Sequence, residues 1–305
     1  MGRKYFLSVL LLALVFLAGC TFITSRSDYS QTAKTEQNTT IPNAVPLALD
    51  EVKQALLSTG LTLTPTDRLV PADYAVNGLQ PVIFAVNPDQ HLLLLYEYPS
   101  IAERVESGQQ ITGSISTTLH LPEKWTVRGY TAKNFVLVDM TYYGDYFSSN
   151  LSKSLASSEL ITDLVTETAR LQKAVAALNE TKTAVFTAGG GAWDARLTVS
   201  YFQYRYKDNS GALHIAQDSQ GEWKIKYLGN NPKSIKSISY EYTSPDGSGR
   251  RNESGSNILR QSGGDYYLPW GTSDNLGIPT GDAVYTLKIK WDGHTENMTM
   301  KPARS

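Results

Sequence analysis

Cysteine is almost absent from this sequence: Cys20 stands alone in 305 residues. The chain can form neither an internal disulfide nor a thiolate metal cluster, so its folded parts must rest on apolar cores. An excess of one charge is also missing. Lys and Arg total 28 against 29 Asp and Glu, which leaves no basic surplus for a phosphate backbone and argues against nucleic acid as a partner. Histidine is scarce. His91, His120, His214 and His294 are scattered, and no two stand four residues apart, the spacing that brings two imidazoles to one metal ion. Neither a metal nor a cofactor is expected. The motifs Gly-x-Ser-x-Gly and Ser-x-x-Lys do not occur, so two classes of serine acyl-transfer enzyme lack their local signatures. Carboxylates are harder to exclude, because a glycosidase needs its two acids close in space and not in sequence. Asp139, Asp145, Asp194 and Glu241 lie near aromatics, although acids in such places ordinarily serve strand ends and turns. The loop at Asp246 to Gly249 offers oxygens but lacks the alternating acids and distal Glu of an EF-hand.

A continuous apolar run of membrane-spanning length is lacking too. Arg3 and Lys4 precede an apolar stretch over residues 7–18, too short to span a bilayer comfortably and correct for a secretory signal. It ends in Leu17-Ala18-Gly19-Cys20, which resembles the lipobox of bacterial lipoproteins. That resemblance implies cleavage after residue 19 and lipidation of Cys20. Two acyl chains, at about 0.8 kcal/mol per buried methylene, would hold the protein on the outer face of the cell membrane. Thr21 follows, where inner-membrane retention in Gram-negative lipoproteins typically wants Asp, so sorting to an outer membrane stays open if the host has one. Residues 21–45 are rich in Thr, Ser, Gln and Asn without apolar periodicity, and are expected to form a disordered tether reaching at most about 80 Å.

Residues 46–182 read as an α+β domain. Val52, Ala55 and Leu56 have helical spacing, and Gly60 stands where the helix should stop. Two apolar β-rich runs, 82–86 and 91–98, flank Asn87-Pro88-Asp89-Gln90 and predict a hairpin buried on both faces. Ser100 and Glu103 form a capping box for a second helix, with strands expected at 111–121, 125–130 and 134–142. A long helix follows, over 151–178. Leu160, Leu164, Leu171, Val175 and Leu178 make its apolar stripe, with Thr168 filling the gap.

Residues 183–305 carry no helical stretch of useful length and are expected to form a β-sandwich, Ig-like in the broad sense. Trp223, Ile225 and Tyr227 alternate with Glu222, Lys224 and Lys226, and Tyr285, Leu287, Ile289 and Trp291 alternate with polar partners. Asp292-Gly293 predicts a two-residue type I′ hairpin. The layout of lipobox, polar tether, α+β domain and all-β domain is similar to that of uncharacterised surface lipoproteins of Gram-positive bacteria. In the second part the resemblance rests on Phe186, the turn Gly189-Gly190-Gly191-Ala192-Trp193, Tyr227-Leu228-Gly229, and the run from Ile289 to Glu296. It implies architecture and location, and transfers no functional residues. The glycine triplet departs from the single glycine and acid expected there.

Tyrosine is in surplus, 18 against 8 Phe. Tyrosines suit strand faces, but amphipathic rings also stack on sugars and partner proteins. Tyr266, Tyr267 and Trp270, beside Gly263-Gly264 and Pro269, are the expected exposed ligand-binding residues. The expected function is a membrane-anchored, non-enzymatic lipoprotein that binds a protein or a cell-wall glycan. Two alternatives stand beside it: a cell-envelope glycan hydrolase with dispersed carboxylates, and a structural or regulatory spacer. Oligomeric state is not legible.

Overall fold

The computed structural model describes residues 31–32, 41–86, 91–107, 111, 125–142, 154–254, 258–268, 272–274, 276–280 and 283–303. The signal segment, Cys20, Asp145, His120 and Trp270 lie outside the described residues. The fold is rich in antiparallel β-structure, with few helices. Two compact units are present. The first holds the described residues up to Glu180 together with Tyr204–Ala216, and the second holds Thr181–Gln203 and Gln217–Ser305.

In chain order the strands are β1 (Gln31–Thr32), β2 (Leu63–Pro65), β3 (Val82–Val86), β4 (His91–Glu97), β5 (Trp125–Ala132), β6 (Phe135–Tyr142), β7 (Lys182–Ala188) and β8 (Trp193–Lys207). They continue with β9 (Leu213–Tyr227), β10 (Ser237–Thr243), β11 (Ser248–Ser254), β12 (Arg260–Ser262), β13 (Asp265–Tyr267), β14 (Thr272–Asp274), β15 (Tyr285–Trp291) and β16 (His294–Pro302). The helices α1 (Leu49–Ser58) and α2 (Ser154–Leu178) belong to the first unit, as does a short helix over 101–107.

The first unit is built on the sheet β2-β3-β4-β6-β5. Strands β4 and β6 are apolar on both faces because both faces are covered. Leu93, Leu95, Phe135 and Leu137 pack under Val52 and Leu56 of α1 and Leu171, Ala174 and Leu178 of α2. Leu92, Leu94, Tyr96, Val136 and Val138 pack on the opposite face with Val76, Tyr98 and Ile111. Ser100 caps the 101–107 helix as its sequence requires, its Oγ accepting from Glu103 N at 3.1 Å. Along α2 Glu167 is buried where the apolar stripe would continue, and Thr168 is half-buried. A charged side chain on an apolar stripe needs a partner, and Glu167 finds it in His91.

Two parts of the stretch expected to form a disordered tether, residues 31–32 and 41–45, have defined structure. Ile41 is buried, Arg205 N donates to Pro42 O, and Ala44 N donates to Arg205 O, both at 2.8 Å. Further upstream β1 pairs with β9, setting Gln31 opposite Ile215 and Thr32 opposite His214. Backbone groups make this pairing, so polar side chains conceal it.

The second unit contains most of a sheet ordered β11-β10-β15-β16-β7-β8-β9-β13-β12, with β14 also pairing to β9. Inward residues of β10 and β15 (Ile238, Tyr240, Leu287, Ile289) share one core with those of β7, β8 and β9 (Phe186, Leu197, Val199, Trp223, Ile225). The sheet therefore curls until one face closes on itself. Trp193 sits in this core, 4.8 Å from Tyr227 and 5.6 Å from Trp291 between ring centres. Asp292 and Gly293 both have positive φ, at 42° and 86°, as a type I′ turn demands. Strand β9 runs unbroken through Asp218-Ser219-Gln220-Gly221, a run with the composition of a turn. Gly221 permits it, since a Cβ there would collide with the buried Leu276. The strand β11 had no apolar pattern to announce it, being Ser-Gly-Arg-Arg-Asn-Glu-Ser on an edge.

Candidate functional site

Consecutive strand residues face opposite sides of a sheet, and this separates the predicted aromatic platform. Tyr266 opposes Tyr227 and packs against the second unit's core, whereas Tyr267 opposes Lys226 on the outer face. Trp270 lies outside the described residues. The three rings expected together are thus represented on the outer face by Tyr267.

Tyr267 lines a groove of about 1180 Å³ on that face, crossed by the neighbouring strands β16, β7, β8, β9 and β13. Outward residues converge there from each strand. Lys301 of β16 opposes Thr187 of β7, and Thr187 opposes Arg196 of β8. At the two ends of the β8–β9 hairpin, Leu228 N donates to Ala192 O and Asp208 N donates to Ala212 O. That register sets Arg196 opposite Lys224 and Asp194 opposite Lys226. One row across the sheet therefore reads Lys301, Thr187, Arg196, Lys224, all exposed.

The groove's charges differ in how they are used. Lys226 Nζ lies 2.9 Å from Asp265 Oδ1, and Tyr267 Oη donates to Asp265 Oδ2 at 3.2 Å. The hydrogen bond to Asp265 pushes the Lys226 ammonium above its ordinary value and holds Asp265 below its own. Burial, then the Asp265 charge, raises the Tyr267 hydroxyl. Lys224 Nζ sits 5.1 Å above the Tyr267 ring. The two acids of the groove turn toward the glycine triplet. Glu296 Oε2 accepts from Ala192 N at 2.9 Å, and a Cβ on Gly191 would strike that carboxylate. Asp194 lies equally close over Gly189, and Gly190 has φ of +124°. Among the described residues Arg196, Lys224 and Lys301 have no carboxylate partner in an ion pair.

A second polar cluster lies in the first unit, where sequence reasoning saw no site. His91 of β4 is buried with Nε2 2.5 Å from Asp139 Oδ1 and Nδ1 3.1 Å from Glu167 Oε2. Thr141 Oγ1 donates to Asp139 Oδ1 at 3.3 Å, and Arg128 stands opposite Asp139 on β5 and donates to Thr168 Oγ1. Burial pulls the His91 imidazolium down, but the Asp139 charge and bonds to Asp139 and Glu167 outweigh it and push the group up to about 9. The signal for this cluster was present but spread out: a histidine opening an apolar strand, an acid inside another, and a glutamate on an apolar helical stripe.

The other candidates stay apart. His214 Nε2 contacts Asp208 Oδ2 at 2.8 Å in the β8–β9 turn, where Asp208 also accepts from Ser210 and Ala212. His294 stacks on Trp291. Glu241 is exposed opposite Lys288. The loop around Asp246 is a tight turn closed by Ser244 N donating to Gly247 O. No three His, Cys, Asp or Glu side chains among the described residues form a metal-holding group. No described helix is long and apolar enough to cross a membrane. No protein family, no curated protein and no solved structure matches this chain.

Proposed function

We propose that this chain is a lipid-anchored lipoprotein on the extracytoplasmic face of the cell membrane, and that its second unit binds a cell-envelope component in the outer-face groove. Cys20 at the end of the apolar signal supplies the anchor. The architecture that accompanies this reading is an α+β unit followed by an Ig-like sandwich in the broad sense, as in Gram-positive surface lipoproteins. One observation carries the binding site: three exposed cations of one cross-strand row, Arg196, Lys224 and Lys301, with no carboxylate partner among the described residues. The glycan-hydrolase alternative draws no comparable support. Asp139 is committed to His91, Asp194 lies over Gly189, and Glu241 faces Lys288.

The test is co-sedimentation of the full chain, in neutral detergent, with purified cell-envelope fragments. Wild-type protein should pellet with the fragments, and Arg196→Glu/Lys301→Glu should bind about tenfold more weakly. Equal binding by both proteins would remove the groove from the reading.

A further inference from the structure

Resting on the groove as the binding site, we infer that its ligand is a phosphate-bearing linear polymer, with one phosphate bridging Arg196 and Lys224 and a neighbouring one meeting Lys301. The cation row contains a local conflict. Directly opposed residues on one sheet face have Cβ atoms about 5 Å apart, and like charges placed so are destabilising. Arg196 and Lys224 hold that relation on β8 and β9. No ion pair among the described residues offsets it, since the groove's ion pair joins Lys226 to Asp265 and leaves these two aside. The nearby acids relieve it only in part, because the Asp265 charge acts on Lys224 without forming an ion pair with it, Glu296 is held by Ala192 N, and Asp194 lies over Gly189.

An anion seated between the two cations resolves the conflict. Phosphate fits that seat better than carboxylate. A guanidinium offers a planar fork and an ammonium a point charge, and a tetrahedral phosphate has enough oxygens to accept from both at once. A polymer is indicated by the rest of the row. Lys301 stands two strands beyond Arg196, about 10 Å away across the sheet, with the Thr187 hydroxyl between them as a further donor. The groove crosses β16, β7, β8, β9 and β13 along this line, four strand steps or about 19 Å. Tyr267, with Lys224 over its ring, closes the far side.

The experiment titrates full-length protein in neutral detergent micelles, at about 0.15 M salt, with poly(glycerol phosphate), with poly-L-glutamate of equal charge, and with inorganic phosphate. The expected result is binding of poly(glycerol phosphate) at least about tenfold tighter than poly-L-glutamate. Arg196→Gln/Lys224→Gln should abolish that preference, while Lys207→Gln, an exposed lysine outside the groove, should leave it intact. Thermal unfolding of the double variant should occur at or above the wild-type temperature, because a like-charge pair has been removed. Inorganic phosphate saturating the site as tightly as the polymer would assign the phosphate to a free source and overturn the polymer. Equal affinity for the two polymers, or an unchanged preference in the double variant, would overturn the phosphate. If envelope fragments still bind while poly(glycerol phosphate) does not, the groove stands and this inference falls. If neither binds, both fall.

Discussion

Both ring nitrogens of His91 face carboxylates, and a neutral imidazole can donate from one nitrogen at most. The buried arrangement therefore favours the imidazolium. Its pKa, ordinarily 6.5, stands at about 9 in the folded protein. Because the folded value is the higher one, the stabilisation is fully present below about pH 6.5 and is lost as pH rises through 9. The difference is on the order of 3 kcal/mol. Urea unfolding between pH 6 and 10 should show wild-type stability falling over that window. His91→Gln should be less stable by about 3–5 kcal/mol at pH 6, since it strands two buried acids, and should lose little more on the alkaline side. A flat wild-type profile would refute the charged imidazole. Asp139 and His91 were both visible in the sequence as isolated residues. Their pairing was not, because it depends on β4 and β6 lying side by side with His91 two positions from Asp139 in register.

At the scale of elements, alternation in β9 and β15 was readable, and so was the Asp292-Gly293 turn, because each is decided by residues close in sequence. Continuity of β9 was not. Its middle, Asp218-Ser219-Gln220-Gly221, has the composition of a turn, and the strand persists because β14 pairs with it there, while Leu276, 55 positions away, takes the space a side chain at 221 would fill. Gly221→Ala should cost about 1–3 kcal/mol by overpacking Leu276 and Leu197. Denaturant unfolding measures it, and the paired change Gly221→Ala/Leu276→Ala should recover part of the loss. The groove was illegible for a related reason. Lys224, Arg196, Lys301 and Tyr267 each look like an ordinary outward strand residue, and four strand pairings are needed to assemble them. The edge strand β11 exposes Arg250 and Arg251, charges that discourage pairing with another chain's edge.

For the whole molecule, the anchor and the groove make separable claims. Replacing Cys20 by Ala should release the protein from the membrane fraction into the medium or soluble fraction, by immunoblot of fractionated cells, without changing its affinity for envelope fragments. Continued membrane retention would overturn lipidation at Cys20. The division into units was partly legible, because helical periodicity ends near residue 178 and strand patterns follow. What composition could not reveal is that the second half of β8 changes allegiance. Up to Val199 the strand buries odd-numbered residues in the second unit's core, and from Phe202 it buries the even-numbered Phe202, Tyr204 and Tyr206. Tyr204 accepts from Arg104 in the first unit.

The hairpin tip at Tyr204–Ala216 thus completes a unit whose other residues end at Glu180. A chain synthesised from its N-terminus meets this as a timing constraint. The Tyr204 hydroxyl that accepts from Arg104 and the strand partner of residues 42–44 are missing until residue 205 has emerged, by which point β7 and most of β8 are already made. The N-terminal unit must wait for a piece of the C-terminal half before it can finish folding.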